Sequence, residues 1–398
     1  MKCYLLHYKQ HYGDRDKMDI YLNDYQREIR QNIVDYIKNN VNPSIIPEKF
    51  TMKAWEACAK GGLLAYNLNN QYGDMEFDIT AQMVITEAMG YACKDSGFVF
   101  AVNNHLWACQ AVIQRFGSTE AKNKYLKDMG QGKKIGAYAI TEESAGSDNS
   151  NMKTTFQIHE NHYVLNGRKV FISNAPIADI FVVSAKNKDK QGISSYSAFI
   201  VEKDLAGVIV KDAIAKMGLN GCPMSEIVFK DCIIPKENIL GRVNSGIRII
   251  NYAMTVERFF EFVSHIGTMR KILEKCIEYT GIREQFNNTL DKYQMITSKI
   301  VQSRVNIELA YSMAVNICKA MEVGKSVYMQ ISMFKLFVSE KYVELCKDAM
   351  QIHGAYGYIC ENEIERELRD SLASTIYAGT NEVQINIIFR LLKHETNE

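Results

Sequence analysis

Hydrophobic positions along the first third of the chain keep a helical spacing. Ile29, Ile33, Ile37 and Val41 recur at fours behind Asn23 or Asp24 as a cap, and apolar residues fall three and four apart over 55–64, 79–91, 99–116 and 121–129. Gly117-Ser118 ahead of Glu120 predicts a capped helix start, and Gly130 with Gly132 its end. Over about 136–243 the period changes. Short β-rich runs such as IGAYAI, IFVVSAK and SEIVFKDCIIP alternate with Gly, Asn and Asp, and Asn166-Gly167 between YVL and RKVFI predicts a type I′ hairpin. From 244 onward long helical stretches return, over about 246–281, 290–323, 327–353, 366–373 and 381–393, with glycines at 324, 354, 357 and 379 marking breaks.

These periods predict an α+β fold in three parts: a helical domain over 18–135, a small β-barrel or sandwich over 136–243, and a four-helix bundle over 244–398. Residues 1–17 carry no periodic apolar face. They are expected to form an extension, disordered or an ordered arm, with Met18 as a candidate start. No repeat of 20 to 50 residues appears, and the junctions of the three parts are where a site is expected.

Composition narrows the function classes. The 398 residues are 47% hydrophobic and 23% charged, and 47 basic against 46 acidic residues leave a net charge of +1, which gathers neither nucleic acid nor an anionic membrane. No apolar run approaches the roughly 20 residues of a membrane span. Ten scattered cysteines without a CxxC pair point to reduced thiols, a cytoplasmic location and no metal site.

GxGxxG, Walker A, HExxH and GxSxG are all absent, so nicotinamide and nucleotide-hydrolysing chemistry lose support. The polar concentrations are YAITEESAGSDNSNMKT (138–154), VFISNAPIAD (170–179), REQFNN (283–288), QIHGAYGY (351–358) and TIYAGTNEVQ (375–384). In order and content they resemble the acyl-CoA dehydrogenase family of flavoproteins along essentially the whole chain from Met18. The resemblance implies that family's helical, β-barrel and four-helix-bundle fold, an FAD cofactor, and α,β-dehydrogenation of an acyl thioester.

Residue by residue, the family form aromatic-x-x-Thr-Glu-Pro-x-Ala-Gly-Ser-Asp matches Tyr138 to Asp148, with Glu143 in place of the proline. It implies that Tyr138, Ile140 and the Thr141 hydroxyl lie along the flavin, and that Ser147 meets both cofactor and the substrate's pantetheine arm. NG-x-K-x-W-I-T-N matches Asn166 to Asn174, so Phe171 is implied to pack on the flavin and the Ser173 hydroxyl to bond its N5. Arg283 and Phe286 match RxxFG, and Gln294, Gln351 and Gly354 fall where the family supports the cofactor across a subunit contact. An obligate oligomer, usually a tetramer, follows from that likeness.

The reaction needs a base. Many members carry a glutamate where this chain has Ala378, but isovaleryl-type members place it on a bundle helix before arginine or lysine. Thr255-Val256-Glu257-Arg258 supplies that arrangement, making Glu257 the implied base and Arg258 a substrate neighbour. Ala378 is implied to offer its backbone amide to the thioester carbonyl, with Thr380 and Glu382 along the cofactor. The stretches around 165–183 and 220–235, with His105, look most like dehydrogenases of prolyl groups on peptidyl carrier proteins. Three readings remain: an aminoacyl or short-acyl carrier-protein dehydrogenase in biosynthesis, a short branched-chain acyl-CoA dehydrogenase passing electrons to an electron-transfer flavoprotein, or an FAD-binding scaffold or oxygenase without dehydrogenation.

Overall fold

The computed structural model describes residues 20–73 and 75–395, so the expectations for residues 1–17 and Met18 lie outside the described residues. The first helix, α1 (Asp24–Tyr36), starts at a capping box: the Asn23 side chain accepts from Gln26 N at 2.9 Å and Gln26 returns the bond to Asn23 N at 3.1 Å. That settles the cap on Asn23. Then follow α2 (Met52–Lys60), α3 (Ile79–Ala92), α4 (Ser96–Asn103), a π-helical turn over Asn104–Gln110, α5 (Ala111–Phe116) and α6 (Thr119–Gly130). Ser118 caps α6 by accepting from Ala121 N at 3.1 Å, as its sequence predicts.

Eight strands form one sheet: β1 (Gly136–Ala139), β2 (Thr155–Ile158), β3 (His162–Ser173), β4 (Ile180–Asn187), β5 (Tyr196–Glu202), β6 (Val208–Val210), β7 (Met224–Pro235) and β8 (Ile239–Leu240). Their order is β6-β7-β3-β2-β4-β5-β8, with β1 parallel to β4. On β4, Phe181 and Val183 face an interior shared with Phe156, Phe199 and Phe229, while Ile180 and Val182 pack under Tyr125 and Met129 of α6. Covering both faces is why IFVVSA is continuously apolar rather than alternating.

The predicted hairpin at Asn166-Gly167 is incorrect. Both residues lie inside β3, which runs on through a bulge, and the turn falls instead at 159–161 between β2 and β3. Gly167 is needed because φ is 154° and a Cβ there would sit 2.4 Å from Thr154 Oγ1. An Asn-Gly pair serves a bulge as readily as a turn.

The bundle comprises α7 (Gly246–Ile282), a short hairpin of β9 (Glu284–Gln285) and β10 (Asn288–Thr289), α8 (Gln294–Glu322), α9 (Tyr328–His353), α10 (Ile364–Ala373) and α11 (Asn381–Glu395). Helix α7 also threads the first helical layer. A Cβ on Gly90 of α3 would lie 1.8 Å from Ser264 O, and one on Gly267 of α7 would lie 2.0 Å from Glu87 O, so these backbones meet only because both residues are glycine. Buried Glu87 holds Arg30 and Arg270 at 2.8 Å each, and Trp107 stacks on Phe260 at 3.5 Å. The rotation of α7, and with it the direction of Glu257, is thereby set.

Candidate functional site

Glu257 lies on the buried face of α7 beside the π-helical turn. Asn104, the first residue of that turn, donates from Nδ2 to Glu257 Oε1 at 3.5 Å, and Glu257 Oε2 is buried without a partner. Burial pushes the carboxyl up to about 7, against the smaller opposing pull of Arg258 and Asn104. A carboxylate poised there can take a proton near neutral pH.

Arg258 turns the other way. Its Nε donates to the Ala378 carbonyl at 3.0 Å, 120 residues later in the chain. Ala378 has φ of 52°, a left-handed backbone that costs an alanine roughly 1–2 kcal/mol. The strain aims its carbonyl at Arg258 and leaves the amide without a protein acceptor among the described residues. The turn is pinned from behind: the Asn381 side chain accepts from Lys335 Nζ at 2.6 Å and Ser339 Oγ at 2.9 Å, and Gln384 Nε2 donates to Gly379 O at 2.9 Å. Thr380 Oγ1 accepts from Val383 N at 3.3 Å and caps α11, with Glu382 exposed in its first turn. The Asn381 side chain is therefore spent inside the protein.

The flavin that the resemblance implies can be tested against these residues. The bulge in β3 between Lys169 and Ile172 throws Phe171 outward with φ of 57° and 61% of its surface exposed. A strained, exposed aromatic is expensive for a free surface and suits a flat ring laid over it. Val170 N donates to Thr141 O at 2.9 Å, which sets the end of β1 beside Phe171, and Ser173 ends the same strand. Tyr138 and Ile140 instead bury their side chains in the core behind, so only their backbones can face a ligand. Lys169 is fully buried, donating to Glu142 Oε1 at 2.8 Å and Ile140 O at 2.9 Å, and Glu142 also accepts from Lys153 N at 2.6 Å. The loop with Glu143 in place of proline is closed by paired bonds between Glu142 and Ala145, both 3.0 Å, and Ser147 stands exposed upon it. These residues fit an FAD isoalloxazine.

Arg283, Phe286, Gln294, Gln351 and Gly354 gather elsewhere, exposed around the β9–β10 hairpin and the end of α9. Arg283 caps the end of α7, 26 residues past Glu257, about 39 Å at ~1.5 Å per residue, so it cannot reach Glu257 of its own chain. Phe286 and Asn287 take a left-handed turn, with φ of 51° and 61°.

Sequence reasoning missed the polar companions of Glu257. Glu261 and His265 continue its face at intervals of four, an ERFFEFVSH signature visible in an otherwise apolar helix. Asn103 and Asn104 were hidden because the π turn shifts the helical register. His105 is structural: Nδ1 accepts from Gly136 N at 2.9 Å, and burial drives the imidazole down to about 3.

Comparison with known proteins agrees with the geometry. Models of the acyl-CoA dehydrogenase N-terminal, middle and C-terminal domains match residues 23–133, 137–232 and 244–393. An L-prolyl-[peptidyl-carrier protein] dehydrogenase of a Serratia species is 34% identical over 94% of this chain and 98% of its own. The short-chain acyl-CoA dehydrogenase of Clostridium acetobutylicum is 29% identical over 93% and 98%. A solved structure described as PigA with FAD and proline superposes with a TM-score of 0.90 at 32% identity, covering 94% of this chain and 98% of that one. The chain belongs to the acyl-CoA dehydrogenase family of FAD-dependent oxidoreductases.

Proposed function

We propose that this protein introduces a double bond between the α and β carbons of an aminoacyl or short acyl thioester carried on the phosphopantetheine of a carrier protein. The observation that carries the reading is the pairing of a buried, partly unpartnered carboxylate with a free backbone amide, fixed to one another through Arg258. Glu257 takes the α proton, and the Ala378 amide donates to the thioester oxygen as negative charge builds there. FAD, when bound, accepts the β hydrogen with its electron pair, so two C–H bonds break and one C=C bond forms. Phe171, Thr141 and Ser173 orient that cofactor, and burial around Glu257 keeps water from the carboxylate. Ser147 faces the pantetheine arm in this reading, and Arg258 holds the substrate-facing turn.

The carrier-protein form is supported by the likeness to the prolyl-carrier dehydrogenase along nearly the whole chain. A CoA thioester as substrate, with an electron-transfer flavoprotein as acceptor, is the second reading, favoured by the comparable coverage of the short-chain acyl-CoA dehydrogenase. The exposed group around Arg283 belongs to a homo-oligomeric contact, a tetramer in this reading, where it completes the cofactor site of a neighbouring copy. Gln294, Gln351 and Gly354 serve the same contact, Thr380 and Glu382 lie along the cofactor, and the enzyme works in the cytoplasm. Incubating the protein with a prolyl-carrier protein and with short acyl-CoAs under anaerobic conditions tests the choice. Flavin bleaching by the carrier-bound group is expected, and bleaching by the CoA panel alone contradicts it.

A further inference from the structure

The wall beyond Glu257 is polar where an alkyl chain needs hydrocarbon. Glu257, Glu261 and His265 stand on one face of α7, each step about 6 Å along the axis. Tyr377, immediately before Ala378, runs beside them: its hydroxyl bonds His265 Nε2, and its ring packs on Phe100 at 4.7 Å and Phe262 at 5.7 Å. Glu261 lies 3.9 Å from His265 Nε2. From the end of α4, Asn103 meets this row at Glu261, one residue before Asn104 reaches Glu257.

Several atoms here lack partners. Asn103 is fully buried; its side chain lies within weak reach of Glu261, but neither Nδ2 nor Oδ1 meets a well-formed partner, and Asn104 Oδ1 and Glu257 Oε2 are likewise unpartnered. Each such group costs about 1–3 kcal/mol, and four of them on the neighbouring residues Asn103 and Asn104 and on Glu257 are unusual unless a ligand completes them. The orphaned pairs include both donors and acceptors, so the ligand must offer a hydrogen-bonding heteroatom and not only methylenes.

Resting on the dehydrogenase reading above, we propose that this is the acyl subsite, and that Glu261 and Asn103 select an acyl group bearing an amine nitrogen, an aminoacyl rather than a purely alkyl thioester. Asn103 Oδ1 and the Glu261 carboxyl accept from the substrate nitrogen, one helical turn beyond the carboxylate that removes the α proton. The electrostatics agree: burial first, and then Glu257, hold the Glu261 carboxyl well above its ordinary range, with Asn103 opposing them weakly. An arriving cation would let it ionise. An alkyl group offers nothing to Asn103 and leaves the same atoms orphaned.

The test compares two thioesters on one carrier protein, prolyl and cyclopentanecarbonyl, which share a ring size and differ in N–H against CH2. Anaerobic stopped-flow bleaching of the FAD-loaded enzyme should be at least ~10²-fold faster with prolyl, since a site built for a polar group rejects the analogue lacking it. Glu261→Gln and Asn103→Leu should each pull that ratio towards one. A merely structural role would lower both rates in parallel and keep the ratio. Equal bleaching of the wild-type enzyme by both rings, or an unchanged ratio in both variants, overturns the inference and leaves the dehydrogenase reading standing. No bleaching by any carrier or CoA thioester overturns that reading, and this one with it.

Discussion

Arg258 Nε donates to the Ala378 carbonyl at 3.0 Å, and so the residue next to the buried carboxylate also holds the turn that faces it. One cation thereby couples the proposed base to the backbone amide proposed for the thioester oxygen. Its positive charge also opposes the upward shift that burial imposes on Glu257. Because Glu257 must be ionised to take a proton, the rate of flavin reduction should rise with pH through about 7. Arg258→Met removes the opposing charge, so the rising limb should move to higher pH and the maximal rate should fall. A limb that stays in place would separate Arg258 from Glu257.

Stability should carry the same signature. The Glu257 carboxyl titrates from 4.5 in the open chain to about 7 when folded, so between those values the folded state holds the extra proton. Its contribution to stability is complete below 4.5 and is lost as pH rises through about 7. Glu257→Gln removes a charge that burial penalises. In chemical denaturation at pH 8 it should exceed the wild type by up to about 3 kcal/mol, and the two should converge at pH 4.

Lys169 had no assigned role in its motif, yet it neutralises Glu142 directly beneath Thr141. Replacing it by methionine strands a buried carboxylate, a loss of about 3–5 kcal/mol. Lys169→Met should purify with little flavin and unfold at lower denaturant, read by the ratio of flavin to protein absorbance.

Phe171 makes the opposite prediction. It is 61% exposed and strained, so its removal should leave the apoprotein as stable as the wild type, or more so. Phe171→Ala should instead weaken FAD binding about tenfold, measured by fluorescence titration of the apoprotein. A loss of apoprotein stability with unchanged FAD affinity would make it an ordinary packing residue.

The chain's periodicity disclosed the three-part order and most helix bounds, because α7, α8 and α9 bury stripes that repeat at three and four. Local turn chemistry was less faithful. Asn166-Gly167 carries the signal of a hairpin, but Thr154 packing against Gly167 turned it into a bulge within a long strand. The pairing of Glu257 with the Ala378 turn came through likeness of motifs, and no spacing rule could have linked its neighbour Arg258 to a residue 120 positions later. Asn103 and Asn104 stayed hidden for a different reason: a π turn breaks the register from which their facing would be inferred, whereas Glu261 follows Glu257 by four in a regular helix and was open to reading.

The assignment of the base is tested most directly by Glu257→Gln. Prepared with FAD and mixed anaerobically with prolyl-carrier protein, the variant should keep its yellow flavin for at least ~10² times longer than the wild type. The Ala378 amide, the Arg258 tie and the aromatic face of Phe171 all remain in it, so binding should persist while proton removal fails. Bleaching at the wild-type rate would contradict the assignment and move the base elsewhere in the pocket.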